Sequence, residues 1–300
     1  MTDPTVAVVG PGAIGATFAA VARRAGVRDL ALCGRTRVER ITVREDDGDA
    51  VVLDGDGGAV RTDPDTVAGP VDWLLLAVKA HQTRGAEHWL RALAGPGTVV
   101  VVLQNGVEHH ERVAPFVDGA TVLPAVVWCP AEPLGRETVR LRGEPALTVP
   151  DQPEGHRLAE LLTPGGARVD RAADFRTELW RKLIMNAVAG LTVLTGRRAG
   201  MFRRPDVHRL AGALARECVA VATAEGALLT EADADAITDR FVAMPPDLGS
   251  SILFDRVAGR ALEWDARNGV VQRFGARHGV PTPISDVLVP LLAAASDDPN

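Results

Sequence analysis

The sequence predicts an α/β fold in which a parallel-sheet domain, residues 1–170, precedes an all-helical domain, residues 171–300. Three observations predict this arrangement. The first half alternates short, fully apolar runs with helical stretches, which is typical of parallel strands covered on both faces. A glycine-rich loop joins the first apolar run to the first helical stretch. Beyond about residue 174 strand-like runs largely vanish, and helical patterns take their place.

The elements of the first half follow from local sequence patterns. Thr5–Val9 is a continuous apolar run that ends in glycine, which is typical of a buried parallel strand. Ala13–Ala25 is rich in alanine and stops before a glycine, so it predicts a helix with a C-terminal glycine. The same criteria predict a helix at Arg84–Leu93 and strands at Asp29–Cys33, Asp72–Val78, Thr98–Leu103, Thr121–Trp128 and Thr138–Val149.

The second half is predicted to contain helices almost exclusively. The change of character falls near Gly165–Asp174, and we find no internal repeat and no low-complexity linker. The predicted helices are Glu178–Leu194, Asp206–Gly226, Glu231–Met244, Ser251–Gly259, Trp264–His278 and Ile284–Ala295.

Composition and charge narrow the classes of function. A net charge of −6 argues against a nucleic-acid partner, because phosphate binding needs a basic surface. No apolar stretch approaches the roughly 20 residues that span a bilayer, so no membrane partner is expected. Cys33, Cys129 and Cys218 lie far apart, which predicts reduced thiols in the cytoplasm. The histidines lack metal-ligand spacing, so no metal is expected. The sequence leaves the oligomeric state open, a homodimer included.

A GxGxxG motif runs from Gly10 to Gly15, between the first predicted strand and the first predicted helix. In that context it predicts a Rossmann-type dinucleotide site, in which Gly10 allows the turn and Gly12 lets a pyrophosphate approach. Gly15 lets the helix pack on the strand, and the first helical residues, Ala13 and Ile14, offer free N–H groups to the anion. The alternative is a glycine-rich turn without a ligand.

The residues after the second predicted strand indicate which dinucleotide is bound. An NAD-binding fold places a carboxylate there for the ribose 2′-hydroxyl. This chain instead has two arginines, Arg35 and Arg37, whose guanidinium groups match a 2′-phosphate. We therefore expect NADP(H), although arginine is so common in this chain that the pair could also be incidental.

Only two of the 33 basic residues are lysines, Lys79 and Lys182. A lysine, unlike an arginine, can exchange a proton when burial shifts its pKa. Lys79 follows a predicted strand at the sheet edge where α/β folds bind ligands. Asn105 follows the next strand, and its amide suits a ribose, a nicotinamide or a substrate oxygen. The alternative for Asn105-Gly106 is a simple turn.

Lys182 and Asn186 are four residues apart in a helix that is otherwise almost wholly apolar. They therefore share one face, and both polar groups need partners that a functional cleft would supply. The alternative is a structural asparagine with a lysine that reaches solvent from the helix start.

Two later segments carry further candidate residues. Ser250 and Ser251 open a helix, where a serine is commonly an N-cap and where a carboxylate can also bind. Glu263 and Asp265 follow, and acids are also common in the first turn of a helix without any further role.

Together these segments resemble the ketopantoate reductase (2-dehydropantoate 2-reductase) family over the whole chain. The resemblance rests on five blocks in the family's order. The blocks are Gly10-x-Gly12-x-x-Gly15, Val78-Lys79, Gln104-Asn105-Gly106, Trp180-x-Lys182-Leu183-x-x-Asn186, and Ser250-Ser251 with Glu263-x-Asp265-x-x-Asn268-Gly269.

The resemblance implies hydride transfer from NADPH to the C2 carbonyl of a 2-keto acid, as in pantothenate biosynthesis. Lys182 would be the general acid, and Glu263 would accept a hydrogen bond from a substrate hydroxyl and help to position Lys182. Asn186 would help to hold the substrate, and Ser251 would contact the substrate carboxylate. Lys79 and Asn105 would lie near the nicotinamide and the substrate. Glu263, Lys79 and Asn105 are accordingly also candidate cofactor contacts.

The chain departs from the family's pattern at Gly190 and Leu248, where the family often has asparagines that contact the substrate. Missing donors can change the preferred substrate, so the identity of the 2-keto acid is open. Two alternative functions are also open. One is a 2- or 3-hydroxyacid dehydrogenase of similar two-domain layout, and the other is a protein that senses NADPH without turnover.

Overall fold

The computed structural model describes residues 3–54 and 59–297. The chain forms two compact units. The first comprises Met1–Gln104 and Glu108–Phe175, and the second comprises Asn105–Val107 and Arg176–Asn300. The turn Asn105–Val107 therefore belongs with the second unit, although it lies within the first half of the sequence.

The strands of the described residues all lie in the first unit. They are β1 (Val6–Val9), β2 (Leu30–Cys33), β3 (Ile41–Glu45), β4 (Ala50–Leu53), β5 (Val60–Arg61), β6 (Trp73–Leu76), β7 (Val99–Val102), β8 (Thr121–Pro124), β9 (Val126–Trp128), β10 (Ala131–Pro133), β11 (Thr138–Leu141), β12 (Ala146–Pro150) and β13 (Arg168–Ala172).

The main sheet has six parallel strands in the order β5-β2-β1-β6-β7-β8. Its strand β1 is buried on both faces, since Val6 and Val8 belong to one apolar cluster while Ala7 and Val9 belong to another. The strand order reverses between β1 and β6, and α/β sheets bind ligands beyond the carboxyl ends of the strands at such a point. The glycine-rich loop follows β1 at this edge.

The remaining strands form two smaller sheets, and their pairing shows that two predicted strands were wrong. Thr121–Trp128 is not one strand, because β8 lies in the main sheet and β9 pairs antiparallel with β12. Thr138–Val149 is likewise two strands, since β11 pairs with β3 and β12 pairs with β13. Strand β13 occupies the segment where we expected the change to helices.

The helices of the first unit cover the main sheet. Phe18 of the first helix joins the cluster of Val6 and Val8, and Trp89 of the second joins that of Ala7 and Val9. The predicted helix Arg84–Leu93 begins as a 3₁₀ turn, and the helices His109–Val113 and Pro153–Leu162 were not predicted. These helices are α1 (Ala13–Arg24), α2 (Glu87–Leu93), α3 (His109–Val113) and α4 (Pro153–Leu162).

The second unit is helical in the residues that the structure describes. Its core includes Leu183, Ile184 and Val188, which are buried with apolar residues of the neighbouring helices. Its helices are α5 (Phe175–Ala189), α6 (Leu191–Thr195), α7 (Pro205–Ala224), α8 (Glu231–Ala243), α9 (Ser251–Val257), α10 (Val270–His278) and α11 (Pro283–Asp297).

Two predicted helices of the second unit are interrupted. Glu178–Leu194 breaks at Gly190 into α5 and α6, and Trp264–His278 begins with a π-helical segment at Asp265–Gly269. The predicted fold class, a parallel-sheet α/β region followed by a helical region, is confirmed. Among the described residues, the model contains no helix whose length and apolar character would let it cross a membrane.

Candidate active site

The three glycines of the loop after β1 have different steric surroundings. Gly10 has φ +90°, and a Cβ there would lie 2.6 Å from Val78 Cγ1. A Cβ on Gly15 would lie 2.3 Å from the Gly10 carbonyl oxygen, so α1 can approach the loop only with glycine at this position. A Cβ on Gly12 would meet nothing within 4 Å. Gly10 and Gly15 therefore serve the fold, whereas Gly12 leaves open space in front of the backbone.

The amino end of α1 faces this space with features that suit an anion. Gly12 is its N-cap and offers no side chain to the first N–H groups, and the first turn contains no acidic residue. The N–H groups of Ala13, Ile14 and Gly15 lack acceptors within the helix, and the helix dipole is positive at this end. The residues present therefore fit the pyrophosphate of a dinucleotide.

Three arginines lie near the carboxyl end of β2. Arg35 and Arg37 are exposed, and Arg37 Nε is 2.7 Å from Glu39 Oε1. The sequence did not single out Arg61, which pairs in register with Cys33 at the end of the neighbouring strand. Burial raises the pKa of the Cys33 thiol to about 12, and the positive charge of Arg61 opposes that rise. The two-residue strand β5 carries no pattern from which Arg61 could have been placed here.

Lys79 lies just beyond β6, in a loop whose backbone is tied on both sides. Gln104 Nε2 donates to the Val78 carbonyl at 3.0 Å and to Thr83 Oγ1 at 2.9 Å. The N–H of Lys79 is 3.4 Å from Gln82 Oε1. Gln104, which sequence analysis treated only as part of a turn, thus fixes the loop that carries Lys79. Lys79 itself is half-buried.

In the second unit, three predicted site residues form one hydrogen-bonded chain. Asn186 Nδ2 donates to Asn105 Oδ1 at 3.1 Å, and Asn105 Nδ2 donates to Glu263 Oε2 at 3.1 Å. Asn186 and Glu263 are buried, with 8% and 7% of their surface exposed. The Asn105 amide is therefore more than a turn residue, because it joins two side chains that are 81 and 158 residues away in sequence.

Lys182 occupies an environment that disfavours its charged form. The pKa of its ammonium is lowered from 10.5 to about 7, first by burial and then by the positive charges of Arg267 and Arg240. Such a lysine holds its proton weakly at neutral pH, so it can give the proton to a reacting oxygen and regain it from water. An arginine at this position would stay protonated.

Ser250 and Ser251 have separate roles at the start of α9. Ser250 is the N-cap and accepts from the Leu253 N–H at 3.2 Å, which confirms the ordinary capping role for this residue. Ser251 Oγ instead accepts from Arg267 Nη2 at 2.9 Å. Arg267 was not among the residues predicted for the site.

A cavity of about 170 Å³ lies beside these residues in the second unit. Its polar wall includes Asn186, Ser251 and Arg267, and the remainder is mostly apolar. The apolar lining residues are Met185, Ala189, Ala199, Phe202, Phe241, Met244 and Leu248. An apolar pocket with a few converging polar groups is typical of a site for a small molecule.

The two departures from the family pattern have different structural settings. Leu248 lines the cavity and is 47% exposed. Gly190 lies against Asn268, since a Cβ at Gly190 would be 2.9 Å from Asn268 Oδ1. Asn268 is buried and donates to the Ala187 carbonyl at 3.1 Å. The space for a side chain at Gly190 is therefore taken by Asn268.

Five of the predicted site residues lie in the second unit: Asn105, Lys182, Asn186, Ser251 and Glu263. Hydrogen bonds join Asn186 to Asn105 and Asn105 to Glu263. Arg267 donates a hydrogen bond to Ser251, and its charge lowers the pKa of Lys182. The first unit holds the remaining predicted residues, which are Gly10, Gly12, Ala13, Ile14, Gly15, Arg35, Arg37 and Lys79. Within residues 3–54 and 59–297, no group of three His, Cys, Asp or Glu side chains could hold a metal ion. The groups present suit anion binding and proton transfer.

Family models match both parts of the chain. Residues 6–154 match the model described as ketopantoate reductase PanE/ApbA, and residues 174–296 match the model of its C-terminal region. The chain is 52% identical over 295 residues to the 2-dehydropantoate 2-reductase of Mycobacterium tuberculosis, which covers 98% of this chain and 99% of that protein. It is 38% identical to the enzyme of that name from Caulobacter vibrioides, over 97% and 99% of the two chains.

Solved structures agree with this assignment. A dimeric ketopantoate reductase from Staphylococcus aureus superposes with a TM-score of 0.88 at 26% identity, over 98% of this chain and 99% of that one. A D-mandelate dehydrogenase with NADH and anilino(oxo)acetate has a TM-score of 0.85 at 22% identity, over 98% of each chain, and so shares the fold. The chain belongs to the ketopantoate reductase PanE/ApbA family.

Proposed function

We propose that this protein is an NADPH-dependent oxidoreductase that reduces 2-dehydropantoate (ketopantoate) to pantoate, a step of pantothenate biosynthesis. The observation that carries the proposal is the environment of Lys182, a lysine whose pKa is lowered to about 7 and which lies one helical turn before Asn186, a residue that lines a small cavity. Family membership and the names of the relatives support the substrate. In this proposal residues 1–170 bind the dinucleotide, and residues 171–300 supply the substrate and catalytic groups.

The reaction adds a hydride and a proton to the C2 carbonyl. When bound, NADPH supplies the hydride. Lys182 donates its proton to the carbonyl oxygen as negative charge develops there, which leaves the 2-hydroxyl group and a neutral lysine. Water then returns a proton to Lys182. A pKa near 7 suits both halves of this cycle.

The other candidate residues hold the reactants. Asn186 and Ser251 bind the substrate, and the Glu263 carboxylate accepts a hydrogen bond from the substrate's own hydroxyl group. The bond from Asn105 to Glu263 orients that carboxylate. A buried site that uses a hydroxyl in this way discriminates strongly against keto acids that lack one. Lys79 and Asn105 are proposed to approach the cofactor and the substrate.

We expect the variant Arg35→Ala/Arg37→Ala to lose preference for NADPH. Loss of two charged donors should raise the KM for NADPH by about 100-fold and leave the KM for NADH within about threefold, since each hydrogen bond to a charged group contributes roughly 1.5–3 kcal/mol. Arg28→Ala is the matched control, because Arg28 is an exposed arginine just before the amino end of β2. An equal rise in KM for NADPH and NADH would contradict the assignment of Arg35 and Arg37 to the 2′-phosphate.

The pH dependence of kcat follows from the direction of the Lys182 shift. Reduction needs the protonated lysine, so kcat should fall as pH rises through about 7. Oxidation of pantoate needs the neutral lysine and should rise over the same interval. Steady-state rates at saturating substrates, measured in both directions across this range, provide the test. A reduction rate that falls only near the ordinary lysine pKa of 10.5 would contradict the role of Lys182.

We also propose that the protein works in the cytoplasm as a homodimer. The three cysteines are free, and burial raises the thiol pKa of each of them, which suits a reducing compartment. The structural neighbour from Staphylococcus aureus is described as dimeric, and light scattering on the purified protein tests the same state here.

Complementation of a bacterial strain that requires pantoate, because it lacks its own reductase, tests the function in a cell. Expression of this protein should restore growth without pantoate, and expression of the Lys182→Arg variant should not. Restored growth requires turnover, so it would exclude the NADPH sensor. Failure of the wild-type protein, present as a folded product, would contradict ketopantoate as the substrate.

A further inference from the structure

We propose that Arg267 is a specificity-determining residue whose guanidinium, together with the Ser251 hydroxyl, holds the carboxylate of the 2-keto acid in the cavity of the second unit. The inference rests on the proposed function, since it assigns one end of the same substrate. The family resemblance already implies the contact between Ser251 and the carboxylate, and the new element is Arg267, for which the resemblance implies no role.

Arg267 is a buried cation with unused hydrogen-bonding capacity. Only 3% of its side chain is exposed, and Nη2 donates to Ser251 Oγ at 2.9 Å. Its Nε is buried and has no hydrogen-bond partner among the described residues. A buried donor without an acceptor costs roughly 1–3 kcal/mol, and more when the group is charged. Arg267 also lines the cavity, so its guanidinium lies where a bound ligand can supply a further acceptor.

The neighbouring carboxylates do not satisfy the guanidinium. Glu263 Oε2 is 4.0 Å from Arg267 Nη2, beyond hydrogen-bond distance, and it accepts from Asn105 instead. The negative charge of Asp255 also acts on Arg267, but Asp255 pairs with Arg260 at 2.9 Å. Among the residues that the structure describes, no carboxylate is hydrogen-bonded to this cation, and an arginine fork suits a carboxylate because it can donate through two N–H groups.

The shape and lining of the cavity select the kind of carboxylate. The cavity volume of about 170 Å³ is below the roughly 300–1,000 Å³ of pockets for drug-sized ligands, so the cavity suits a small acid. Phe202, Phe241 and Met244 contribute apolar side chains to the lining of the cavity. The ligand class is thus a small branched monocarboxylate, with its charged end at Arg267 and Ser251.

A local departure from α-helix geometry places Arg267 in this wall. Residues Asp265–Gly269 form a π-helical segment, and such segments shift the direction of side chains and are frequent at functional sites. Gly106 packs against this segment, since a Cβ there would be 3.2 Å from the Ala266 carbonyl oxygen. The segment thus carries Arg267 beside the turn that carries Asn105.

Leu248 and Gly190 leave the carboxylate end without side-chain amides, and Arg267 replaces these donors. Leu248 lines the cavity and has no polar atom in its side chain, and the space at Gly190 is taken by Asn268. Recognition by a charged fork predicts strong discrimination between an acid and an uncharged molecule of the same shape. This discrimination is the property to measure.

The test compares ketopantoate with its primary amide, which has nearly the same shape and no charge. The wild-type enzyme should prefer the acid by about 100-fold in kcat/KM, because an unpaired buried charge costs roughly 2–5 kcal/mol. At pH 6, where Lys182 is protonated with or without the charge of Arg267, Arg267→Met should lower kcat/KM for the acid by about 100-fold, mainly through KM, and change the value for the amide by less than about threefold. Arg91→Met is the control, because Arg91 is an exposed arginine of α2 that does not line the cavity, and it should keep the wild-type ratio.

An unchanged ratio of acid to amide in Arg267→Met would overturn the proposal, as would an equal loss for both substrates in a folded variant. If Arg267→Met does not fold, Arg267→Lys replaces it, and the same ratio should fall because a lysine keeps the charge but loses the fork. If the wild-type protein turns over neither compound, the proposed function fails separately. Calorimetry of ketopantoate binding to the NADPH complex then tests the role of Arg267. Binding should be lost in the Arg267 variant, and retained binding would overturn the proposal.

Discussion

Lys182→Arg is expected to lower kcat for keto acid reduction by about 1,000-fold while the affinity for NADPH stays within about threefold of the wild-type value. Positioned general acids contribute roughly 10²–10⁴ to rate. The variant keeps a positive charge on α5 but replaces an ammonium whose pKa is about 7 with a guanidinium that does not release its proton near neutral pH. The loss should therefore appear in the chemical step.

Two controls separate this effect from damage to the fold. Arg181→Lys changes the neighbouring residue, which pairs with Asp233 at 3.1 Å, and should keep nearly full activity. Lys182→Met should be inactive and yet melt at a higher temperature at pH 6. Because the folded pKa lies below 10.5, the unfolded chain holds the proton more tightly, and below about pH 7 the charged lysine destabilises the fold fully. A kcat within about tenfold of wild type in Lys182→Arg would remove Lys182 as the general acid.

Gly12→Val is expected to weaken dinucleotide binding severely with only a modest loss of stability, since valine is a poorer N-cap residue than glycine. Gly12 has φ −75°, which any residue adopts, and a Cβ there would meet nothing within 4 Å. The added side chain therefore enters only the space in front of the α1 N-terminus, where the pyrophosphate is proposed to lie. We expect the Kd for NADPH to rise by at least about 100-fold, since several charge-assisted hydrogen bonds are blocked together.

Fluorescence titration with NADPH and thermal unfolding without ligand measure the two halves of this prediction. Gly85→Ala is the matched control, because its Cβ also meets nothing within 4 Å and it lies in a 3₁₀ turn away from the loop after β1. Gly15→Ala should differ from both by destabilising the fold, since its Cβ would lie 2.3 Å from the Gly10 carbonyl oxygen. Normal NADPH binding by Gly12→Val would show that the loop does not hold the cofactor.

Much of the fold could be predicted because its signals are local. The strand β1, the glycine loop and α1 form a continuous stretch in which an apolar run, three glycines and an alanine-rich helix follow one another. The pairing of Lys182 and Asn186 needs only helix periodicity. Short strands such as β5 and β10 were not predicted. Two or three residues are too few to show the alternation of apolar and polar residues that marks a strand.

The geometry of the candidate site depended on contacts that no local pattern reveals. Asn105 lies in the second unit and bonds to residues 81 and 158 positions away. Arg267 falls within the predicted helix Trp264–His278, where regular α-helix periodicity cannot reveal the π-helical segment that positions its side chain. Its burial and the unpartnered Nε appear only when the packing around it is known.

Steady-state reduction of a panel of 2-keto acids by the purified wild-type protein, followed by the loss of NADPH absorbance, tests the central claim most directly. The panel contains ketopantoate, the analogue that lacks its hydroxyl group, and pyruvate. The account predicts the highest kcat/KM for ketopantoate with NADPH, because Glu263 accepts from the substrate hydroxyl and the charged groups hold the carboxylate. NADPH binding without oxidation by any member of the panel would contradict it.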